Sequence, residues 1–453
     1  MSLALSPVGD LDRLAAGLDG VLAEPGSSDY DDARAPALAR FRDVRPRAVV
    51  RCASVADVAR AIRFARLSGL HLVPRGGGHC FAGRSSSEGL VLDLARLDGI
   101  AVTPDGRAII GAGARLGRVY DALHEHARTL PAGCGPTVGI AGLTLGGGLG
   151  LLGRRYGLTC DRLVGATVVL ADGEVVECDG AREPDLFWAL RGAGGGQFGV
   201  VTSLVFDPVP APLATRFEVR WPAVDAAAVV AAWQDWAPDA PDDVSASLTV
   251  IAGAGQETRV VMFGCALRGA APTRDLLAGS FAPGTRPQLR LRDDLSYPDL
   301  KRSFASLDGG VPASGADDPS ASRSEFFSAP LAGAAIGELL EAMAGAGTSG
   351  RRELNFTPMG GAYNRVPAGA TAFVHRAERF LLEHVGSGDA AAPWVERSWA
   401  IAHRHGSGRV YPNFPDPQLT DWAEAYHGPN HARLAAVKRR YDPGRLFRFP
   451  QSL

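Results

Sequence analysis

The stretch "PAGCGPTVGIAGLTLGGGLGLLGRRYGL", Pro131 to Leu158, holds ten glycines in 28 residues. Two smaller clusters flank it: "VPRGGGHCFAG", Val73 to Gly83, and "RGAGGGQFGVV", Arg191 to Val201. A glycine backbone can turn sharply, lie flat against a ligand, or aim consecutive N–H groups at an anion. Taken separately, the clusters are three tight turns. Taken together, in one N-terminal region, they read as walls around one large nucleotide, with 76–78, 139–150 and 192–199 closest to it. Two clusters match G-x-G-x-x-G formally, at Gly148–Gly153 and Gly194–Gly199, and Asp172 follows the first at dinucleotide-site spacing. A Rossmann fingerprint also needs a strand before the glycines and a helix after them. "GLTLGGG" and "RRYGL" supply neither, which weakens the rival reading of a nicotinamide-dependent dehydrogenase.

Upstream, "RAVVRCASVADVARAIRFARLSGLHLVP" reads as strand, helix and strand, with Ser54 as N-cap and Val55, Val58, Ala59, Ile62 and Ala65 at helical spacing. Residues before about 45 read as a helical lead-in. "LVLDL" is a strand, and "IAVTPDGRAIIGAGA" a hairpin with a Pro-Asp-Gly turn. A helix is predicted over 116–127. "LVGATVVLADGEVVECD" is a second hairpin, and "EPDLFWALRGAGGGQFGVVTSLVF" a helix, a glycine loop and a strand. Past Pro208–Pro212 the glycine clusters stop. "VDAAAVVAAWQDWA" and "GAAIGELLEAMAG" are helices; "SASLTVIAG", "TRVVMFGCAL" and "TAFVHRAERFLLEHV" are strands. The middle segment therefore reads as α+β on an antiparallel sheet. "NHARLAAVKRRYDP" is a C-terminal helix. No internal repeat is evident.

The chain has 453 residues, enough for two or three domains. With 46% hydrophobic and 21% charged residues it has a globular composition. A net charge of -2 argues against a nucleic-acid surface. No uninterrupted apolar run has the length of a membrane span, and the N-terminus lacks a secretory pattern. Six scattered cysteines, Cys52, Cys80, Cys134, Cys160, Cys178 and Cys265, include no C-x-x-C pair. A cytoplasmic protein with free thiols is the expectation, as a monomer or homodimer. His124 with His126, His79 with Cys80, and His403 with His405 invite a metal reading. None has ligands at standard spacing, so no metal site is expected.

"PRGGGHCFAG…GLVLDLARLDGI", "GPTVGIAGLTLGGGLGLLGRRYGLTCDRLVGATVVLADGEVV" and "LFWALRGAGGGQFGVVTSLVF" together resemble the FAD-binding domain of the vanillyl-alcohol-oxidase type. The tail "YPNFPDPQLTDWAEAYHGPNHARLAAVKRRYDPGRLFRFPQSL" is similar to the terminal segment of berberine-bridge-enzyme-like oxidoreductases. The resemblance implies an α+β, two-part FAD domain, residues 1–212 and 401–453, with a substrate domain inserted at 213–400. It implies cofactor contacts from Pro74, Arg75, Gly76, Gly77, Gly78, His79, Cys80 and Gly83. A second set is Gly135, Pro136, Thr137, Val138, Gly139, Gly142, Leu143, Thr144, Gly146, Gly147, Gly148 and Gly150. Gly157, Cys160, Asp161, Gly199, Val200, Val201, Tyr411 and Asn413 complete it.

In such proteins the histidine after the glycine loop bonds covalently to the flavin 8α-methyl carbon, which points to His79. Many members add a bond from a cysteine immediately before Pro-Thr-Val-Gly. That position is Gly135 here, and Cys134 is one residue early, which in an extended segment reverses the side chain. Single attachment is therefore expected. The resemblance makes Val138 an oxygen-approach residue and favours an oxidase, with O₂ and a small-molecule substrate as partners. A dehydrogenase using another acceptor, or a redox-inactive FAD-binding protein, are the alternatives. Glu383 and Tyr411 are the base candidates. Apolar Leu381, Leu382 and Val385 beside Glu383 would raise its pKa, whereas Tyr411 would need a cation such as Arg404 or Arg409. Trp233, Trp236, Asn355, Tyr363 and Arg376 are candidate pocket residues. The expected reaction is oxidation of an alcohol, hemiacetal or amine carbon, in tailoring a secondary metabolite or its sugar.

Overall fold

Ser54 starts the helix Val55–Ser68 with a capping box: its hydroxyl accepts the Asp57 N–H, and the Asp57 carboxylate accepts the Ser54 N–H. The same carboxylate takes the N–H groups of Asp19, Gly20 and Ala53, fastening the lead-in to this helix. Gly69 ends the helix in the left-handed region at φ 66°. The helix connects two members of a four-stranded sheet ordered Val21–Ala23, Ala48–Arg51, Leu90–Asp93, Leu72–Arg75. The last three run parallel. The first glycine loop therefore leaves the carboxyl end of a parallel strand, the usual place for a ligand crevice in an open sheet.

The computed structural model describes residues 9–253, 256–304, 321–344, 350–388 and 390–453. A second sheet is antiparallel, ordered Ile100–Val102, Ala108–Gly111, Val200–Phe206, Leu163–Val169, Val175–Asp179. Both expected hairpins lie in it. One core spans the two sheets and their helices, from Val50 and Ile62 through Ile110 and Val168 to Phe206 and Val437.

The third sheet has seven antiparallel strands, ordered Gln288–Leu295, Ala214–Pro222, Gln256–Ala266, Val244–Gly253, Arg352–Pro358, Phe380–Gly386, Ala321–Phe327. Strand alternation gives it two unlike faces. Val219, Leu248, Val250, Phe356, Phe380 and Leu382 pack with residues of the helices Ala226–Trp236, Gly333–Ala344 and Ala391–His403 in a second core. The opposite face presents Glu218, Thr249, Asn355, Glu383 and Ser324. At one end of that face Phe326 and Leu381 join Leu158, Cys160, Tyr363, Phe373 and Tyr411 in a small cluster under the glycine-rich segment. The mixed helix-and-sheet architecture, with antiparallel sheets, is the α+β fold expected.

Several local expectations need correction. The strand read into "TAFVHRAERFLLEHV" exists only as Phe380–Gly386; Thr371–Arg379 is irregular, bent around two buried side chains, His375 and Arg376. The helix from Leu116 stops at His124, and Ala127 turns to φ 54°. The lead-in is partly extended, with a strand at Val21–Ala23; its residues 1–8 lie outside the described residues.

Candidate active site

The three glycine clusters converge. Gly77 and Gly139 lie back to back: a Cβ on Gly77 would meet the Gly139 nitrogen at 2.3 Å. Only glycine at both positions lets the two loops run together as one ledge. Backbone bonds from Leu116 N–H to Val138 and from Ile140 N–H to Ala114 hold that ledge to its scaffold. The N–H groups of Gly192 and Gly194 both donate to the Leu145 carbonyl at 3.1 and 2.8 Å, bringing the third loop to the end of the helix Ile140–Leu145. The C-terminal segment ties these loops in. Buried Lys438 reaches the carbonyls of Gln197 and Phe447, pairs with Asp442 at 2.7 Å, and Gln197 accepts the Leu453 N–H.

His79 stands on this ledge, half-buried, with Nε2 3.0 Å from the Thr137 hydroxyl. Burial, and then the nearby Arg115 cation, lower its pKa, so the imidazole is neutral at neutral pH. Gly135 faces Val138, whose Cγ2 would lie 2.9 Å from an added Cβ. Cys134 is 3.6 Å from Nζ of Lys301, which also donates to the Ala132 carbonyl at 2.7 Å and the Gly133 carbonyl at 3.2 Å. That ammonium is buried over the Tyr120 and Tyr297 rings. No sequence signal pointed to Lys301; its reach depends on packing of the helix Tyr297–Phe304 against Leu116–His124.

Tyr411 is buried, and its phenol oxygen accepts three N–H donors: Gly148 at 3.0 Å, Leu149 at 3.1 Å and Asn413 Nδ2 at 3.0 Å. Asn413 Nδ2 also donates to Leu143. Burial raises the Tyr411 pKa and these donors oppose it. Neither expected cation serves it: Arg404 pairs with Glu338, and Arg409 with Glu424. Phe81 stacks on Phe414, which is edge-on to Tyr411.

Glu383 lies on the polar face of the seven-stranded sheet, two residues along the strand from Leu381, which packs in the cluster with Tyr411. Asn355 is its cross-strand partner on one side and Ser324 on the other. Burial, and then the charge of Glu353, push its carboxyl up to about 8, against a hydrogen bond from Asn355. Glu353 was not singled out from the sequence. Its i, i+2 spacing from Asn355 was visible, but its nearness to Glu383 depends on strand register.

Other candidates lie off the polar face that carries Glu383. Trp233 is in the helix-side core, donating to Ala246, and Trp236 packs beside it. Tyr363 lies beneath the glycine segment, exchanging hydrogen bonds with Gly150. Arg376 grips the Asp161 carboxylate with two bonds of 2.9 and 2.6 Å. Asp161, with Cys160 and Gly157, thus shapes a locked turn. The Arg75 side chain points into the scaffold, to Ala33, Arg34 and Asp93, so only its backbone faces the loop. Among the described residues, no three potential ligands gather around a metal position, and no helix is long and apolar enough to cross a membrane.

A family model described as "FAD binding domain" matches residues 46–179, and one described as "Berberine and berberine like" matches residues 410–453. The chain is 32% identical to an uncharacterized FAD-linked oxidoreductase, YgaK of Bacillus subtilis, over 96% of this chain and 97% of that one. The chain belongs to the berberine-bridge-enzyme-like family of FAD-linked oxidoreductases. It is 31% identical to a chitooligosaccharide oxidase of Gibberella zeae, over 90% of this chain and 87% of that one. A glucooligosaccharide oxidase from Acremonium strictum, described with a 6-S-cysteinyl, 8α-N1-histidyl FAD, superposes with a TM-score of 0.87 at 26% identity, covering 98% of both chains. The residues present fit FAD. Gly142 and Gly194 face open space where a Cβ would project, leaving bare backbone along the ledge, and the neutral His79 stands at its end.

Proposed function

We propose that this FAD-linked oxidoreductase is an oxidase with its flavin bonded to His79, acting on a hydroxyl-bearing carbon of a sugar or glycosylated metabolite. The observations that support the reading are a glycine ledge bearing His79 and a polar sheet face bearing the half-buried carboxyl of Glu383, on a sheet that meets the glycine-rich segment through Leu381, Phe326 and Tyr411. Bound flavin would accept hydride from the substrate carbon and return the electron pair to O₂, giving a carbonyl product and H₂O₂. The chain's residues do the rest. Thr137 engages Nε2 of His79, which leaves Nδ1 for the carbon bond. Gly76–Gly78, Gly139 and Gly142 offer backbone to the cofactor, and Leu143, Thr144 and Gly146–Gly148 shape the helix and turn behind it. Val138 leaves a small side chain at the edge of the ledge. Glu383 takes the hydroxyl proton as hydride leaves. Tyr411 and Asn413 hold the turn at Gly148 and Leu149, and the phenol oxygen is occupied by three donors, which favours Glu383 as base. Cys134, held at Lys301, leaves His79 as the single attachment.

Two features support the substrate class: a sheet face carrying hydroxyl, amide and carboxyl groups in one cross-strand row, and the oligosaccharide oxidases among the relatives. Six free thiols, four of them buried, suit a reducing compartment, so we place the enzyme in the cytoplasm. The test is a peroxide-release screen of reducing sugars, oligosaccharides and alcohols on wild type and Glu383→Gln, with mass spectrometry of flavin-bearing peptides. Peroxide from wild type, its loss in the variant, and flavin on the His79 peptide are expected. Full turnover by Glu383→Gln removes Glu383 as base, and flavin on Cys134 overturns single attachment.

A further inference from the structure

Glu383 has a charged neighbour that the chemistry above does not use. Asn355 lies opposite Glu383 in register, and Glu353, two residues along the same strand, projects to the same face diagonal to it. The Asn355 amide donates to Glu353 at 3.2 Å and stands directly across the strand pair from Glu383, so it lies between the two carboxyl groups. Outside this pair, Arg351 is bonded to Glu353. Inside it, the buried Ser324 hydroxyl next to Glu383 has no hydrogen-bond partner among the described residues, so it is available to a ligand.

We infer that Glu353, paired with Arg351 and set diagonally across Asn355 from Glu383, is a positioning residue that assigns the proton of the two carboxyls to Glu383 and so sets the pH above which Glu383 works as a base. This rests on the reading of Glu383 as that base. Two carboxyl groups at diagonal cross-strand distance in a partly desolvated site do not both ionise cheaply. Arg351 lies on the Glu353 side, so the first negative charge goes there and the proton stays on Glu383. Burial raises Glu353 too, and Arg351 is the largest influence opposing it.

The groups facing Glu383 from each packed element are few. Arg352–Pro358 and its lead-in bring Glu353, Asn355 and Arg351. Ala321–Phe327 brings Ser322 and Ser324. Its own strand offers Leu381 and Val385 on that face. The C-terminal segment brings Tyr411, which packs against Leu381 and Phe326. Glu353 is the charge that acts on Glu383.

The experiment is an infrared pH titration of the protonated carboxyl band in the flavin-loaded enzyme, alongside the pH profile of kcat/KM on a chito- or xylo-oligosaccharide. The Glu383 step is identified by its absence in Glu383→Gln. In Glu353→Gln the step and the rising limb of the profile should both move toward acid by about one unit, raising the ionised fraction of Glu383 at pH 6.5 about tenfold. Glu353→Asp, which restores the charge, should return them toward the wild-type position. A purely structural role for Glu353 would lower activity at every pH and leave the step in place. A step at its wild-type pH in Glu353→Gln, with Tm and flavin spectrum unchanged, overturns the inference while leaving Glu383 as base. A limb that persists in Glu383→Gln overturns the base reading, and the inference with it.

Discussion

Replacing Arg154 by Met should loosen the join between the glycine-rich segment and the sheet that carries Glu383. Arg154 is 1% exposed. Its guanidinium donates to the carbonyls of Val244 at 3.1 Å and Pro238 at 2.7 Å, and to those of Met359 and Ala240. All four acceptors belong to the segment that builds the seven-stranded sheet, and Met359 directly follows the strand of Glu353 and Asn355. Methionine keeps the apolar stem and removes the head, leaving four buried carbonyls without their donor. A hydrogen bond from a charged group contributes about 1.5–3 kcal/mol. Desolvation of the guanidinium, which also pulls the Arg154 pKa down, offsets part of that gain. At about 1 kcal/mol net per carbonyl, the variant loses about 4 kcal/mol. In a chain this long that corresponds to a Tm lowered by about 5–8 °C. The assay is thermal unfolding followed by intrinsic fluorescence and flavin fluorescence together. Arg154→Lys keeps a charge but only three donors on a narrower head, so it should fall between the two. A methionine variant melting within about 1 °C of wild type would refute the assignment of this guanidinium as the structural join.

Three further outcomes follow from the site. Because Glu383 is pushed up to about 8 and a base must be ionised, kcat/KM should rise with pH and level off above about 8; Glu383→Gln should lower kcat by about 10²–10⁴-fold and flatten that limb, whereas a profile falling over the same range would contradict the sign. His79→Ala should release its flavin on acid denaturation while wild type retains it on the peptide, as absorbance of the precipitate and supernatant will show. Gly135→Cys should gain a second flavin–peptide bond visible by mass spectrometry: the backbone there needs no positive φ, and among the described residues the close contact to an added Cβ is the Val138 side chain. An adduct still confined to His79 would show that this loop does not present position 135 to the cofactor.

Much of the scaffold was legible because its signals are local. Ser54 with Asp57, the turn at Gly173 with φ 83°, and the alternation of "SASLTVIAG" each act within a few residues. The tail was legible for a different reason, as a long ordered set of motifs. What failed was long-range. "TAFVHRAERF" has strand-like composition, yet Arg376 is drawn to Asp161, 215 positions away, and the backbone follows it. Trp233 looked like a pocket residue because it is large and aromatic, but helix phase turns it into the core.

The division within the site has the same origin. His79 was singled out through the resemblance, as the histidine that directly follows the first glycine loop, so its position depends on no distant strand. Alternation also marks Glu353, Asn355 and Thr357 as one face of a strand, and Glu383 as a break in an apolar run. It does not say that these strands are neighbours, or in which register. A one-residue slip would turn Asn355 and Glu353 to the helix side and leave Glu383 without its amide or its opposing charge. The proton affinity of Glu383 is therefore a property of strand pairing as much as of the residue, and the apolar neighbours in its own sequence account for only the burial part of it.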